Sequence, residues 1–166
     1  MAMADEFALG APLLLTHPTV LPEWVDYNGH MNDACYAIAF SHGVDALMAR
    51  LGLDAAGREA TGHTIYTLAL LIRYVKEVKE GEPMLLDGQV LESDAKRLRV
   101  WLTLRHAGTG DVLATSEQLL LSVDSTGPKA SPWPDAVAGK VAALTSAHSG
   151  LPVPAEAGQG IALKRR

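Results

Sequence analysis

One cysteine, Cys35, is all the thiol chemistry in this chain of 166 residues. A lone thiol excludes an intramolecular disulfide framework and a thiolate zinc site, and its simplest setting is a reducing compartment. Basic residues are in the minority too: 14 Lys and Arg against 19 Asp and Glu leave a net charge of −5, and the only basic run is the terminal Lys164-Arg165-Arg166. Nucleic-acid phosphates need a concentrated basic face, so nucleic acid is excluded as a partner. Long apolar runs are missing as well. The most hydrophobic stretch, Ile65 to Ile72, is interrupted by Thr67 and followed by Arg73, far too short to span a bilayer. Asp5 and Glu6 stand where an export signal would carry Lys or Arg. These absences, with an ordinary 48% apolar and 20% charged composition, describe a soluble, cytoplasmic, single-domain protein without a membrane partner.

What is present is one helix amid strands. Residues 1–17 lack a clear period and read as a lead-in, 18–130 as the core, and 131–166 as a C-terminal helix and tail. Val20, Leu21, Trp24 and Val25 read as a short edge strand, weakened by Pro22. From Asp33 to Leu51 the apolar residues Tyr36, Phe40, Val44, Leu47 and Leu51 recur at helical spacing, with Asn32 or Asp33 as cap and Gly52 as stop. Apolar residues off that stripe suggest a wrapped helix, and Gly43 in its middle suggests a close neighbour there. The Asp54 to Gly62 segment reads as a loop. Then come four strands: Thr64 to Val75, apolar at both parities as in a covered central strand; Met84 to Leu91, with Gly88 as a bulge; Lys96 to Arg105, cleanly alternating; and Val112 to Val123, reached through the turn at His106 to Asp111. Ser131-Pro132-Trp133-Pro134 opens a second helix running to about Ala147, and the tail packs loosely with Ile161 and Leu163 as anchors. Strands in sequence with helices set apart indicate an α+β fold with an antiparallel five-stranded sheet around one long helix.

The chemistry concentrates in Trp24-Val25-Asp26-Tyr27-Asn28-Gly29-His30-Met31-Asn32, immediately before that helix. A carboxylate, an imidazole and two carboxamides are aimed at a helix start, where free N–H groups and the positive end of the helix dipole favour developing negative charge. This element order and the Asp-Tyr-Asn-Gly-His-Met-Asn loop resemble the hot-dog-fold acyl-CoA thioesterases of the 4-hydroxybenzoyl-CoA thioesterase type, over roughly Pro18 to Ser131. The resemblance implies hydrolysis of an acyl-CoA by a homodimer or dimer of dimers, with active sites at the subunit interface and no cofactor or metal. It puts the catalytic carboxylate on Asp26, with His30 and Asn32, which match the family's Gly-His-x-Asn continuation, as further catalytic candidates: His30 orients Asp26, bonds the thioester carbonyl or simply pins the loop, and Asn32 holds the loop backbone or reaches the substrate. The oxyanion-binding backbone N–H falls among Asn32, Asp33, Ala34 and Cys35. The C-terminal extension is similar to that of thioesterases of carnitine and betaine catabolism, whose substrate is betainyl-CoA.

Asp26 can attack the thioester carbonyl or deprotonate water. Its ordinary structural use is to cap a turn. A quaternary ammonium binds aromatic faces, which makes Trp24 and Tyr27 candidates, joined by Tyr66, Trp101 and Trp133; any of these can equally be a core or interface aromatic. Asn28 supports the loop at the substrate, and Tyr66 and Thr67, with His63 and Thr64, are expected at the acyl pocket from the partner subunit. Cys35 is either a nucleophile with a depressed pKa or a small buried residue. Glu117 either enters the site or faces solvent. Phosphates of CoA would call on Arg73, Lys76, Lys96, Arg97 or Arg99. Two other functions compete. Hot-dog hydratases carry Asp-x-Asn-Pro-x-His, with a proline and one more residue than Asp26-Tyr27-Asn28-Gly29-His30; a non-catalytic acyl-CoA or betaine binding module would not need so furnished a loop.

Overall fold

The structure is a computed structural model that describes residues 7–163. Asp5, Glu6 and the Lys164-Arg165-Arg166 run lie outside the described residues. In chain order the elements are β1 (Leu13–Thr16), a 3₁₀ turn (Pro22–Trp24), α1 (Asp33–Arg50), α2 (Ala55–Thr61), β2 (His63–Tyr74), β3 (Met84–Ser93), β4 (Arg97–His106), β5 (Val112–Asp124), β6 (Lys129–Ala130) and α3 (Asp135–His148). The strands form one antiparallel sheet in the order β1-β3-β4-β5-β2, with the two-residue β6 beside the end of β5. A curved sheet packed on the long helix α1, with α3 at the C-terminus, is the expected α+β hot-dog fold. Among the described residues no helix is long and apolar enough to cross a membrane.

Helix α1 forms where its spacing predicts it. Asn32 caps it, Oδ1 accepting the Ala34 N–H at 3.0 Å. At the other end Gly52 takes φ +84°, and the N–H groups of Gly52 and Leu53 return to the carbonyls of Ala49 and Met48 at 3.1 and 2.8 Å. This is the paired-bond glycine stop, clamped by burial of Leu53 and Met48. Tyr36, Phe40, Val44 and Leu47 face the sheet. Gly43 meets β3 so closely that an added Cβ would lie 2.2 Å from Leu86 Cδ2, which confirms the close neighbour. The helix is not wrapped on all sides: Ile38 is 42% exposed and Ser41, His42 and Asp45 are open.

Other boundaries moved. The first strand is Leu13–Thr16, inside the expected lead-in, with Leu13 buried and Leu14 exposed. The Pro18 to Val25 segment is no strand, because two prolines remove ladder donors and Pro22 starts the 3₁₀ turn instead. The Asp54 to Gly62 loop contains α2, capped by Asp54 and ended by Gly62 at φ +66°. Gly88 is not a bulge; the β3–β4 register shifts between Val90 and Glu92, and a Cβ on Gly88 would crowd Leu102 at 2.9 Å and Leu15 at 3.0 Å. Strand β2 is not central but an edge of the sheet, and exposes Tyr66, Leu68, Leu70 and Tyr74 at 47–53%. The tail crosses the outer face of the sheet rather than resting on Ile161 and Leu163, which are 91% and 96% exposed. Gln89 Nε2 donates to the Pro152 carbonyl at 3.3 Å, Arg73 to the Gln159 carbonyl, and the Gly158 N–H to Glu117 at 2.9 Å.

Candidate active site

The loop before α1 is a closed, tied structure. An antiparallel bridge joins Val25 to Met31, the Asp26 N–H donates to the His30 carbonyl at 3.1 Å, and the Gly29 N–H returns to the Asp26 carbonyl at 2.9 Å. Gly29 sits at φ +78°, a conformation that disfavours a side chain. The base is anchored in the core by Trp24 and Met31, and the Met31 N–H donates to the Val78 carbonyl at 2.9 Å, fastening the loop to the chain leaving β2.

Within this frame the Asp26 carboxylate is oriented but lightly held. Its Oδ1 accepts the Asn28 N–H at 2.8 Å and its Oδ2 accepts the Asn32 carboxamide at 3.3 Å. Asn32 thus serves two ends: Oδ1 caps α1 while Nδ2 reaches Asp26. The helix start supplies one usable donor. The Asn32 N–H is committed to the Trp24 carbonyl at 2.8 Å, the Ala34 N–H to the side chains of Asn32 and Asp33, and the Cys35 N–H to the Asn32 carbonyl at 2.9 Å. Of the four expected donors, only the Asp33 N–H has no acceptor among the described residues.

His30 turns away from Asp26. Its Nε2 lies 3.1 Å from Glu77 Oε2, an exposed carboxylate just after β2, so the imidazole ties the loop to that segment. Burial, then the charges of Asp33 and Asp26, push the Cys35 thiol up from its ordinary value, the opposite of nucleophile activation. Glu117 lies on the outer sheet face, bound by Arg99 at 2.8 Å and by Gly158, and does not join Asp26. Trp24 and Trp133 are core residues; Trp133 Nε1 donates to the Asp94 carbonyl at 3.0 Å. Trp101 stands on the outer face under Arg73, 5.9 Å from guanidinium to ring centroid. Tyr27 is 97% exposed at the loop tip. Tyr66 and Thr67 are exposed on β2, while His63 bonds the Thr61 carbonyl at 2.8 Å and Ser131 at 3.3 Å. Several candidate phosphate-binding cations are already engaged: Lys76 by Asp111 at 2.5 Å, Arg97 by Asp94 at 2.5 Å, and Arg99 by Glu117.

Residues the sequence did not single out complete the neighbourhood. A cleft beside the start of α1 is lined by Met31, Asp33, Tyr36, Tyr74, Lys76 and Glu77. Tyr36 was legible only as a helix-face apolar residue, Tyr74 only as part of a strand, and Glu77 only as the charged end of that strand or a turn after it.

Comparison with known proteins gives this arrangement its class. The model of the thioesterase-like superfamily matches residues 20–141, and the chain belongs to that family: it is an acyl-CoA thioesterase of the hot-dog fold. A betainyl-CoA thioesterase from Pseudomonas aeruginosa is 47% identical over 152 residues, covering 91% of this chain and 96% of that protein. Among solved structures, a thioesterase candidate from Pseudomonas putida KT2440 is 38% identical with a TM-score of 0.80, covering 93% of this chain and 99% of the other. A Staphylococcus aureus protein solved in complex with CoA is 27% identical with a TM-score of 0.84, covering 92% of this chain and 97% of its own.

Proposed function

We propose that the short acyl-CoA hydrolysed by this enzyme carries a quaternary ammonium, with betainyl-CoA as substrate and the free acid and CoA as products. The observation that carries the hydrolytic reading is the grouping of the Asp26 carboxylate, the Asn32 amide that orients it and the uncommitted Asp33 N–H at one helix start. In this reading the thioester oxygen sits on the Asp33 N–H, where the helix dipole adds to the stabilisation of the oxyanion; losing one such donor typically costs ~10²–10³-fold in rate. Asp26 either attacks the carbonyl carbon, giving a mixed anhydride that water opens, or takes the proton of an attacking water. By either route the C–S bond breaks and CoA leaves as the thiolate. His30 holds the loop through Glu77 rather than handling protons. The 47% identity to a betainyl-CoA thioesterase supports the choice of acyl group.

The active form in this reading is a homodimer joined along β2. A twelve-residue edge strand with four half-exposed large apolar side chains is a template for a second strand. Antiparallel pairing about a twofold axis brings the first half of one β2 to the end of the other, so Tyr66 and Thr67 of the partner subunit approach the cleft at Tyr74. The half-buried free thiol of Cys35 suits action in the cytoplasm.

A thiol-release assay over betainyl-, acetyl-, butyryl- and crotonyl-CoA tests the reading. The expected result is a kcat/KM for betainyl-CoA at least about tenfold above those of the neutral acyl groups. Equal rates across the panel sink the substrate assignment, and loss of crotonyl absorbance without thiol release sinks the hydrolytic preference in favour of hydration.

A further inference from the structure

The cleft beside the start of α1 has a character that the hydrolytic step itself does not use. Tyr74 ends β2 and Tyr36 lies in the first turns of α1, and their rings meet edge to face with centroids 5.2 Å apart at 87°. Tyr36 is buried while Tyr74 is 53% exposed, and both line the cleft. The Tyr74 hydroxyl donates to the Asp33 carbonyl at 3.0 Å and the Tyr36 hydroxyl to the Lys76 carbonyl at 3.5 Å. The Tyr74 phenol proton is therefore committed and the buried Tyr36 hydroxyl is directed at a backbone carbonyl, so what the exposed ring of Tyr74 offers a ligand is mainly its surface. Asp33 and Glu77 add carboxylates, and His30 at 3.1 Å fixes Glu77 in place. The one ammonium in the lining, Lys76, is drawn off to Asp111 at 2.5 Å.

An aromatic wall with an anionic rim, few free hydrogen-bonding groups and its own cation withdrawn suits a cation that has no protons to donate. The chemistry of the acyl group sets a second condition. In a betainyl thioester one methylene separates the quaternary nitrogen from the carbonyl carbon, so its subsite must adjoin the oxyanion donor. Asp33 meets that condition, because it lines the cleft and carries the uncommitted N–H. Burial, reinforced by Tyr74 and Glu77, pushes the Tyr36 phenol up to about 12, which keeps that ring neutral.

We propose that this cleft seats the quaternary ammonium of the acyl group and that the ring of Tyr74 determines the preference for it. The inference rests on the betainyl reading above. Its test uses 3,3-dimethylbutyryl-CoA, the neutral carbon isostere of betainyl-CoA, and reads the ratio of kcat/KM for the charged over the neutral substrate. Tyr74→Leu is expected to lower that ratio about tenfold, mainly through KM, while Tyr74→Phe, which keeps the ring, holds it within about twofold. Glu77→Gln lowers it by a smaller factor. With the unaltered enzyme, glycine betaine should inhibit at lower concentration than 3,3-dimethylbutyrate, a comparison that does not depend on how any variant folds. An unmoved ratio in Tyr74→Leu, an equal fall in Tyr74→Phe, or the reverse order of inhibition overturns the assignment. If the unaltered enzyme shows no preference for betainyl-CoA, the substrate reading fails and the cleft assignment with it; a clear preference with an unmoved ratio removes the cleft alone.

Discussion

Asp26 and Glu117 are the two carboxylates that the sequence offers for the site, and the fold treats them oppositely. Glu117, on the outer face of the sheet, receives a guanidinium hydrogen bond from Arg99 at 2.8 Å and the Gly158 N–H at 2.9 Å from the tail that crosses it. Asp26 receives one backbone N–H at 2.8 Å and one carboxamide at 3.3 Å, with no cation among the described residues. The first is a carboxylate whose lone pairs are filled by structure; the second keeps lone-pair capacity beside an N–H that no group among the described residues uses. In the proposed mechanism, under-satisfaction in a well-anchored loop is what fits Asp26 rather than Glu117 for reaction, because a carboxylate already neutralised by a guanidinium has little left to give an electrophile or a water proton.

The largest effect that can break this contrast is on catalysis. Asp26→Asn retains an acceptor for the Asn28 N–H, so the loop should persist, yet thiol release should fall by at least ~10³-fold, about 4 kcal/mol of barrier; activity within tenfold of the parent removes Asp26 from the chemistry. Next comes Asn32→Asp, which keeps the helix cap but sets a second carboxylate against Asp26. Replacing the donating amide by a like charge should cut kcat at neutral pH ~10-fold or more, whereas a kcat within about twofold of the parent would show that the Asn32 amide does not act through Asp26.

Glu117→Ala probes the other side. Leaving Arg99 and the Gly158 N–H without their acceptor should cost about 1–3 kcal/mol of stability by denaturant titration, with kcat within about twofold of the parent; a large catalytic defect at full stability contradicts the structural role. The smallest effect concerns His148, the end of α3 buried against β3. Its Nδ1 accepts the Val90 N–H at 2.9 Å, and burial holds its pKa below the ordinary 6.5. A depressed pKa in the folded state means that this contribution to stability is complete above 6.5 and is lost as pH falls through that value towards the folded one. Between about pH 7 and pH 5 the melting temperature should drop less steeply in His148→Gln than in the parent; parallel slopes would remove His148 from the acid response.

Much of the frame was legible in sequence. The spacing of Tyr36, Phe40, Val44 and Leu47, bounded by Asn32 and Gly52, specifies a helix that local hydrogen bonds can start and stop without outside help. The four strands from β2 to β5 were readable from apolar content and turn chemistry. Leu13–Thr16 was not, because Leu13-Leu14-Leu15 hides an in-out alternation of only four residues. Helix α2 escaped because none of its residues is buried, so it has no apolar face to announce it. The apolar composition of β2 was read as cover on both sides, when within one subunit it marks an open edge. In the site, the loop and the Asp26–Asn32 pairing follow from neighbours in sequence. Tyr74 against Tyr36 and Glu77 against His30 join residues 38 and 47 positions apart, and no local pattern reports such a meeting.

The sequence by itself determined the loop before α1, the helix it feeds and the class of fold, because each depends on hydrogen bonds and side-chain periodicity within a few residues. Only the tertiary structure decided which carboxylate stays unfilled, which aromatic rings stand beside the helix start and which strand is left at an edge. Those depend on which strands pair and on where the tail crosses the sheet, and long-range packing sets both.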